Sequence, residues 1–99
     1  MPYQLTELAD EDLAEILEGR AVLSARSARE LYGEFLRIFE LIGANPGIGR
    51  RDSQLPGDCR LKLVEGRWAV VYIEVPKGEM VTISRVARAN AELAALFRD

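Results

Sequence analysis

The side chains best equipped for chemistry in this sequence are the cations Arg50, Arg51, Arg60, Lys62, Arg85 and Arg88. A guanidinium binds carboxylate or phosphate in bidentate fashion and stabilises developing negative charge. Such a set is open to several uses: a solubilising face, contact with phosphate or RNA, or docking onto the carboxylates of a protein partner. Hydrolytic or nucleophilic chemistry requires more, because the attacking hydroxyl must lose its proton to a base. The chain has no histidine, so Ser24, Ser27, Ser53 and Ser84 have no imidazole to serve them. Cys59 stands between Asp58 and Arg60, where a flanking cation would lower its pKa; at the start of a strand it is instead a partly buried structural thiol. As the only cysteine it has no internal disulfide partner. With no histidine either, the usual zinc ligands are missing and no metal or other cofactor is expected. The acids Asp10, Glu11, Asp12 and Glu15 read as the solvated start of a helix, matched to its dipole, rather than as a cation site.

The elements that must position these residues are marked by two hydrophobic periods. "YQLT" is a short alternating strand. "LADEDLAEILEGR" spaces Ala9, Leu13, Ile16 and Leu17 for a short amphipathic helix, with Gly19 as its stop. A second helix is the firmest element, since Ala28, Leu31, Tyr32, Phe35, Ile38, Phe39 and Ile42 make one continuous apolar face. Its start is Ser24 as N-cap, or Ser27 with Glu30 as a capping box; Gly43 and Pro46 end it. The aromatic residues Tyr32, Phe35 and Phe39 are assigned to the core. After the turn-rich "NPGIGRRDSQLPGD" the period falls to two. "CRLKLV" sets Arg60 and Lys62 on one face and Leu61 and Leu63 on the other, followed by a tight turn at Glu65 and Gly66. "WAVVYIEV" is a central strand covered on both faces, "PKGE" a second turn, "MVTISRV" a third strand, and "NAELAALF" a short terminal helix or tail. The order β-α-α-β-β-β is an α+β fold, with a helical hairpin packed on a small antiparallel sheet.

At 99 residues, with 48% of them hydrophobic and 29% charged, the chain suits one domain spanning residues 1–99. The apolar runs are too short for a membrane span, and no signal-like start is present, so a cytoplasmic location is expected. A net charge of −3 argues against direct nucleic-acid binding. Charge is unevenly placed, however. Residues 1–20 carry six acids and one base, while 50–88 carry eight bases and five acids, a polarity suited to docking on a specific partner.

Several pieces fall in one order along nearly the whole chain: "YQLTELADEDLAEI", "NPGIGRR", Leu55, the Gly-x-x-Arg of Gly57 to Arg60, "RWAVVYIEV" and "ISRV". In that order and spacing they resemble the ParE branch of the ParE/RelE toxins of bacterial type II toxin–antitoxin systems. The resemblance implies a toxin neutralised by a cognate ParD-like antitoxin that wraps around it. ParE members act on DNA gyrase by binding it, whereas RelE members cleave messenger RNA on the ribosome. Partner contacts would fall on Arg50, Arg51, Arg60, Arg85 and Arg88. A RelE-type nuclease would instead use Arg60, Lys62 and Arg85, but the central-strand cation expected near Ala69 is absent, as is the C-terminal tyrosine. The chain also departs from the ParE pattern after "ISRV", where Ala87, Arg88 and "ANAE" replace the family's histidine and Arg-Asp. A groove beside an edge strand would take the antitoxin as an amphipathic helix or as an added strand.

Overall fold

The computed structural model describes residues 2–75 and 78–97. Along the chain run β1 (Tyr3–Leu5), α1 (Glu7–Leu23), α2 (Ala25–Ala44), a 3-10 turn at Pro46–Ile48, β2 (Arg60–Val64), β3 (Trp68–Glu74), β4 (Val81–Arg88) and α3 (Ala91–Leu96). The "PKGE" turn has Pro76 and Lys77 outside the described residues.

Local chemistry sets the helix ends. Thr6 caps α1 by accepting from the Ala9 amide, and its hydroxyl also donates to the Ser84 carbonyl, so one side chain starts the helix and ties it to β4. The helix does not stop at Gly19. A glycine in a helix costs only about 1 kcal/mol, and here Arg20 beyond it is held by Glu65 at 2.9 Å and by Ser27 at 3.1 Å. Termination falls to Ser24. Its amide donates to the Arg20 carbonyl to close α1, and its hydroxyl accepts from the Ser27 amide to open α2. Ser24 is therefore the cap of both helices, which leaves Ser27 free to accept from Arg20.

The hairpin packs on one face of the sheet through Leu31, Phe35, Ile38, Phe39 and Ile42 of α2 with Ala9 and Leu13 of α1. Beneath them lie Val64, Val70, Tyr72, Val81, Ile83 and Val86. Tyr32 departs from the expectation: it is 45% exposed, at the border of the stripe, while Phe35 and Phe39 are fully buried. A second apolar layer covers the opposite face, with Leu55, Leu61, Ala69, Val71, Ala87 and Leu93 packed beside Cys59, Leu63 and Phe97. Thus α3 and the 51–59 connection together cover the far side of the sheet, and this is why β3 is apolar almost throughout.

The strand order is β1-β4-β3-β2. The meander β2–β3–β4 is antiparallel as expected, and its first turn has Glu65 and Gly66 both at positive φ (56° and 64°) and is closed by the Arg67 amide donating to the Val64 carbonyl, so three residues separate the paired Val64 and Trp68. The sheet as a whole is mixed, because β1 pairs parallel to β4, with Tyr3 opposite Val81 and Leu5 opposite Ile83. A parallel pair needs a long crossover, and the helical hairpin is that crossover. Between β3 and β4 the register shifts: Tyr72 faces Ile83 but Val71 faces Arg85, which leaves Ser84 as the extra residue of a bulge. Its hydroxyl donates to the Val71 carbonyl at 3.2 Å. Simple alternation would place Arg85 on the side of Ile83; the bulge gives that place to Val86.

Candidate functional site

The expected cationic set is spread over separate sites. Arg60 and Lys62 lie opposite Tyr72 and Val70, on the helix side of the sheet. Arg85 lies opposite Val71, a residue of the other layer, so the bulge keeps it from joining them.

Arg60 belongs to a tight interlock around Gly49. Its guanidinium donates to the Gly49 carbonyl at 2.8 Å, while the Gly49 amide donates to the Tyr72 hydroxyl at 2.8 Å. That hydroxyl in turn donates to the Pro46 carbonyl. Arg50 then exchanges backbone hydrogen bonds with Leu61 at 3.0 and 2.9 Å, extending the edge of β2 by one residue. Gly49 has an ordinary φ of −73°, so its requirement is space rather than conformation. A Cβ there would fall 2.5 Å from the Tyr72 hydroxyl and 2.8 Å from the Leu61 carbonyl. Burial pushes the Tyr72 phenol above its ordinary pKa, with the Gly49 hydrogen bond and the Arg60 charge pulling the other way. It therefore stays protonated and works as a clamp. Beside it Arg51, Asp58, Arg60 and Glu74 line a small depression of about 160 Å³ in which the charges of both signs balance. Arg51 meets Asp58 at 3.4 Å in an exposed pair, and such pairs stabilise by well under about 1 kcal/mol.

Arg85 is fastened elsewhere. Its Nε and Nη2 donate to the two carboxylate oxygens of Asp12 at 2.8 and 3.0 Å, and the Val86 amide donates to the same Asp12 at 3.0 Å. Hydrogen bonding to Asp12 pushes the Arg85 pKa further up, against a smaller effect of burial. Asp12 is thus a staple between α1 and β4, which corrects the solvated reading of this acid. Arg50 and Lys62 share a shallow hollow with Ile48, Leu61 and Leu63. Arg88 extends over the Trp68 ring, 5.1 Å from its centroid, in a cation–π contact. Cys59 is no activated thiol: burial first and the charge of Asp58 second push its pKa up, and it packs against the second layer. Among the described residues no cluster of histidine, cysteine, aspartate or glutamate has the grouping of a metal site, and no helix is long and apolar enough to cross a membrane.

Sequence reasoning missed one site. Between α1 and β4 lie two depressions that share Glu15 and Ile16 and so form one trough. The first, of about 360 Å³, includes Arg85, Val86 and Leu96. The second, of about 370 Å³, includes Leu23, Arg67, Trp68 and Arg88. The only tryptophan of the chain beside an arginine at a strand start was the signal available; nothing in the spacing showed that α1 would run on to Leu23 and build the opposite wall.

A helical hairpin on a mixed four-stranded sheet, with a short C-terminal helix behind it, places the chain in the ParE-like class of α+β folds. The particular likeness is to a chain of the chromosomal ParDE toxin–antitoxin system from P. aeruginosa: the two superpose with a TM-score of 0.73 and 24% identity, over 89% of this chain and 95% of that one. No protein-family profile matches the sequence, and no curated protein sequence matches it.

Proposed function

We propose that this protein is the toxin of a type II toxin–antitoxin pair, that it acts by binding DNA gyrase, and that a ParD-like antitoxin neutralises it by covering its surface. The carrying observation is the superposition on a ParDE chain across nearly the full length of both chains. A binding mode is favoured over transcript cleavage by the disposition of the cations. Arg60 is held by a carbonyl, Arg85 by Asp12, and Lys62 sits with Arg50, so no shared cationic patch faces one phosphate. In this reading Arg50, Arg51 and Arg88, which are exposed, make the partner contacts, and Arg60 and Arg85 shape the surface from beneath.

The test is expression of the chain alone and together with the product of the adjacent reading frame. Growth arrest that the neighbour relieves, with loss of gyrase supercoiling by the purified chain, supports the proposal. Transcript cleavage in a translation extract that is lost in Arg60→Ala would replace gyrase binding with RelE-type chemistry. Unimpaired growth at good protein levels would make the chain a binding module on a toxin fold.

A further inference from the structure

At the end of the sheet where β2 turns into β3, the turn residues Glu65, Gly66 and Arg67 meet Arg88 at the end of β4 and Ala89 and Asn90 beyond it. Together they line a depression of about 370 Å³. Backbone pairing fixes its two walls against each other: Arg88 lies opposite Trp68, and the Ala89 amide donates to the Arg67 carbonyl at 2.8 Å. Two arginines of neighbouring strands are thereby held side by side by main-chain bonds.

Their charges are not cancelled inside the depression. Its one acid, Glu65, is already bonded to Arg20 at 2.9 Å. Arg67 and Arg88 are exposed, and among the described residues neither meets a carboxylate within salt-bridge distance. Glu15 lines the neighbouring hollow together with both arginines, yet it stays beyond that distance from each. Hydrogen-bond donors are in surplus as well. Arg88 is steadied over the Trp68 ring and, like Arg67, its guanidinium donates to no acceptor among the described residues. Asn90 accepts the Glu92 amide through its Oδ1, which leaves both hydrogens of its Nδ2 unspent.

The class of ligand follows from oxygen count and charge. A carboxylate has two oxygens and one charge, which a single guanidinium fork satisfies. A terminal phosphate has three oxygens and close to two charges, so it takes two forks at once and still accepts from an amide. A phosphodiester, with one charge, has less to gain. We infer that this end of the sheet binds a terminal phosphate group, with Arg67 and Arg88 as paired clamps and the Asn90 amide as the third donor. Neither arginine belongs to the set Arg60, Lys62 and Arg85 that transcript cleavage would use. Free pyrophosphate and the terminal phosphate of a nucleotide present the same chemistry. The assignment goes beyond the toxin reading and stands without it.

The test titrates the whole chain at low salt with pyrophosphate, with ADP, with acetate and with an oligonucleotide that lacks a terminal phosphate. Trp68, the sole tryptophan, touches Arg88 and reports occupancy through its fluorescence. Pyrophosphate and ADP are expected to change its emission and to bind on the order of tenfold or more tighter than acetate or the oligonucleotide, with affinity falling as salt rises. Arg67→Gln leaves the Arg88–Trp68 reporter in place and should weaken binding about tenfold. Adding Arg88→Gln should abolish it, read by calorimetry because the reporter contact is then gone, while Arg29→Gln on α2 should change nothing. All three positions are exposed, and far-UV circular dichroism checks that the fold is kept. Tighter binding of ADP than of pyrophosphate names a nucleotide as the source of the phosphate, and the reverse order names the free anion. An equal response to acetate, no response to either phosphate compound, equal binding of the oligonucleotide, or an affinity that survives the double substitution overturns the inference.

Discussion

The two long sides of the sheet treat their arginines differently. On the β2 side, Arg60 is locked with Gly49, Tyr72 and Pro46 into a closed set of hydrogen bonds. On the side where α1 meets β4, the Asp12–Arg85 staple is closed, but Arg67 and Arg88 just beyond it are open to solvent beside an unsatisfied tryptophan. An arginine in a patterned motif can thus be a structural brace, as Arg60 is, whereas Arg67 and Arg88 at the far end of the sheet meet no carboxylate among the described residues. "NPGIGRR" and the Gly-x-x-Arg pattern read first as docking signals; their glycine and Arg60 turn out to hold the connection to the sheet.

The largest effect should come from breaking the closed side at its centre. Gly49→Ala would press a methyl against both the Tyr72 hydroxyl and the Leu61 carbonyl, so the turn must shift and the Tyr72 and Arg60 bonds with it. Overpacking costs about 1–3 kcal/mol, and adding the lost hydrogen bonds the expected destabilisation is about 3 kcal/mol. Urea unfolding measures it directly; an unchanged midpoint would mean that Gly49 tolerates a side chain and the interlock is loose.

Next comes Asp12→Ala, which leaves Arg85 without its carboxylate and the Val86 amide without its acceptor. The two side chains are 23% and 14% exposed, so part of the charge is screened by water. A loss of about 2 kcal/mol is expected. A matched double-mutant cycle with Arg85→Ala separates the pair from its surroundings.

How much of this was legible beforehand follows from which interactions are local. The stripe Leu31, Phe35, Ile38, Phe39 and Ile42 is written in a 3.6-residue period, and the structure buries it. The apolar run of β3 needs cover on both faces, and the two core layers supply it. What could not be read are features fixed by residues far apart in the chain. The bulge at Ser84 depends on the partner register of β3, and it alone moves Arg85 away from Arg60 and Lys62. The helix α1 runs past Gly19 to Leu23, and the Arg20 in that last turn meets Glu65, 45 residues on. The trough, in turn, depends on that extension. Candidate cations were thus identifiable by type, but their grouping was a tertiary property.

Alkaline pH offers a milder challenge to the closed side. Burial raises the pKa of Tyr72, and likewise those of Tyr3 and Cys59. An acid whose folded pKa exceeds its unfolded value holds its proton longer in the native state, so its contribution is fully present below the unfolded pKa and lost as pH rises through the folded one. Stability should therefore decline above about pH 9, where the unfolded thiol and then the unfolded phenols begin to ionise. Tyr72→Phe should lower stability near neutrality by about 1–2 kcal/mol, since the Gly49 amide and Pro46 carbonyl lose their shared partner, and should flatten the decline at high pH. Thermal melts across that range read both effects. A slope identical in wild type and Tyr72→Phe would show that the phenol is not the group responsible.

The smallest effect tests the turn that joins the two sides. Glu65 occupies a left-handed conformation that costs a non-glycine residue about 1 kcal/mol, and asparagine is much better suited to the first position of such a turn. Against that gain stands the Arg20–Glu65 bond, with side chains 17% and 37% exposed, a partly solvated pair that contributes about the same amount. Glu65→Asn should thus leave the unfolding midpoint nearly unchanged, because relief of backbone strain and loss of the ion pair oppose each other. The two can be pulled apart in an Arg20→Ala background, where the pair is already gone: there the same substitution should stabilise by a few tenths of a kcal/mol or more. If Glu65→Asn destabilised the protein in both backgrounds alike, Glu65 would be serving the turn by something other than its bond to Arg20.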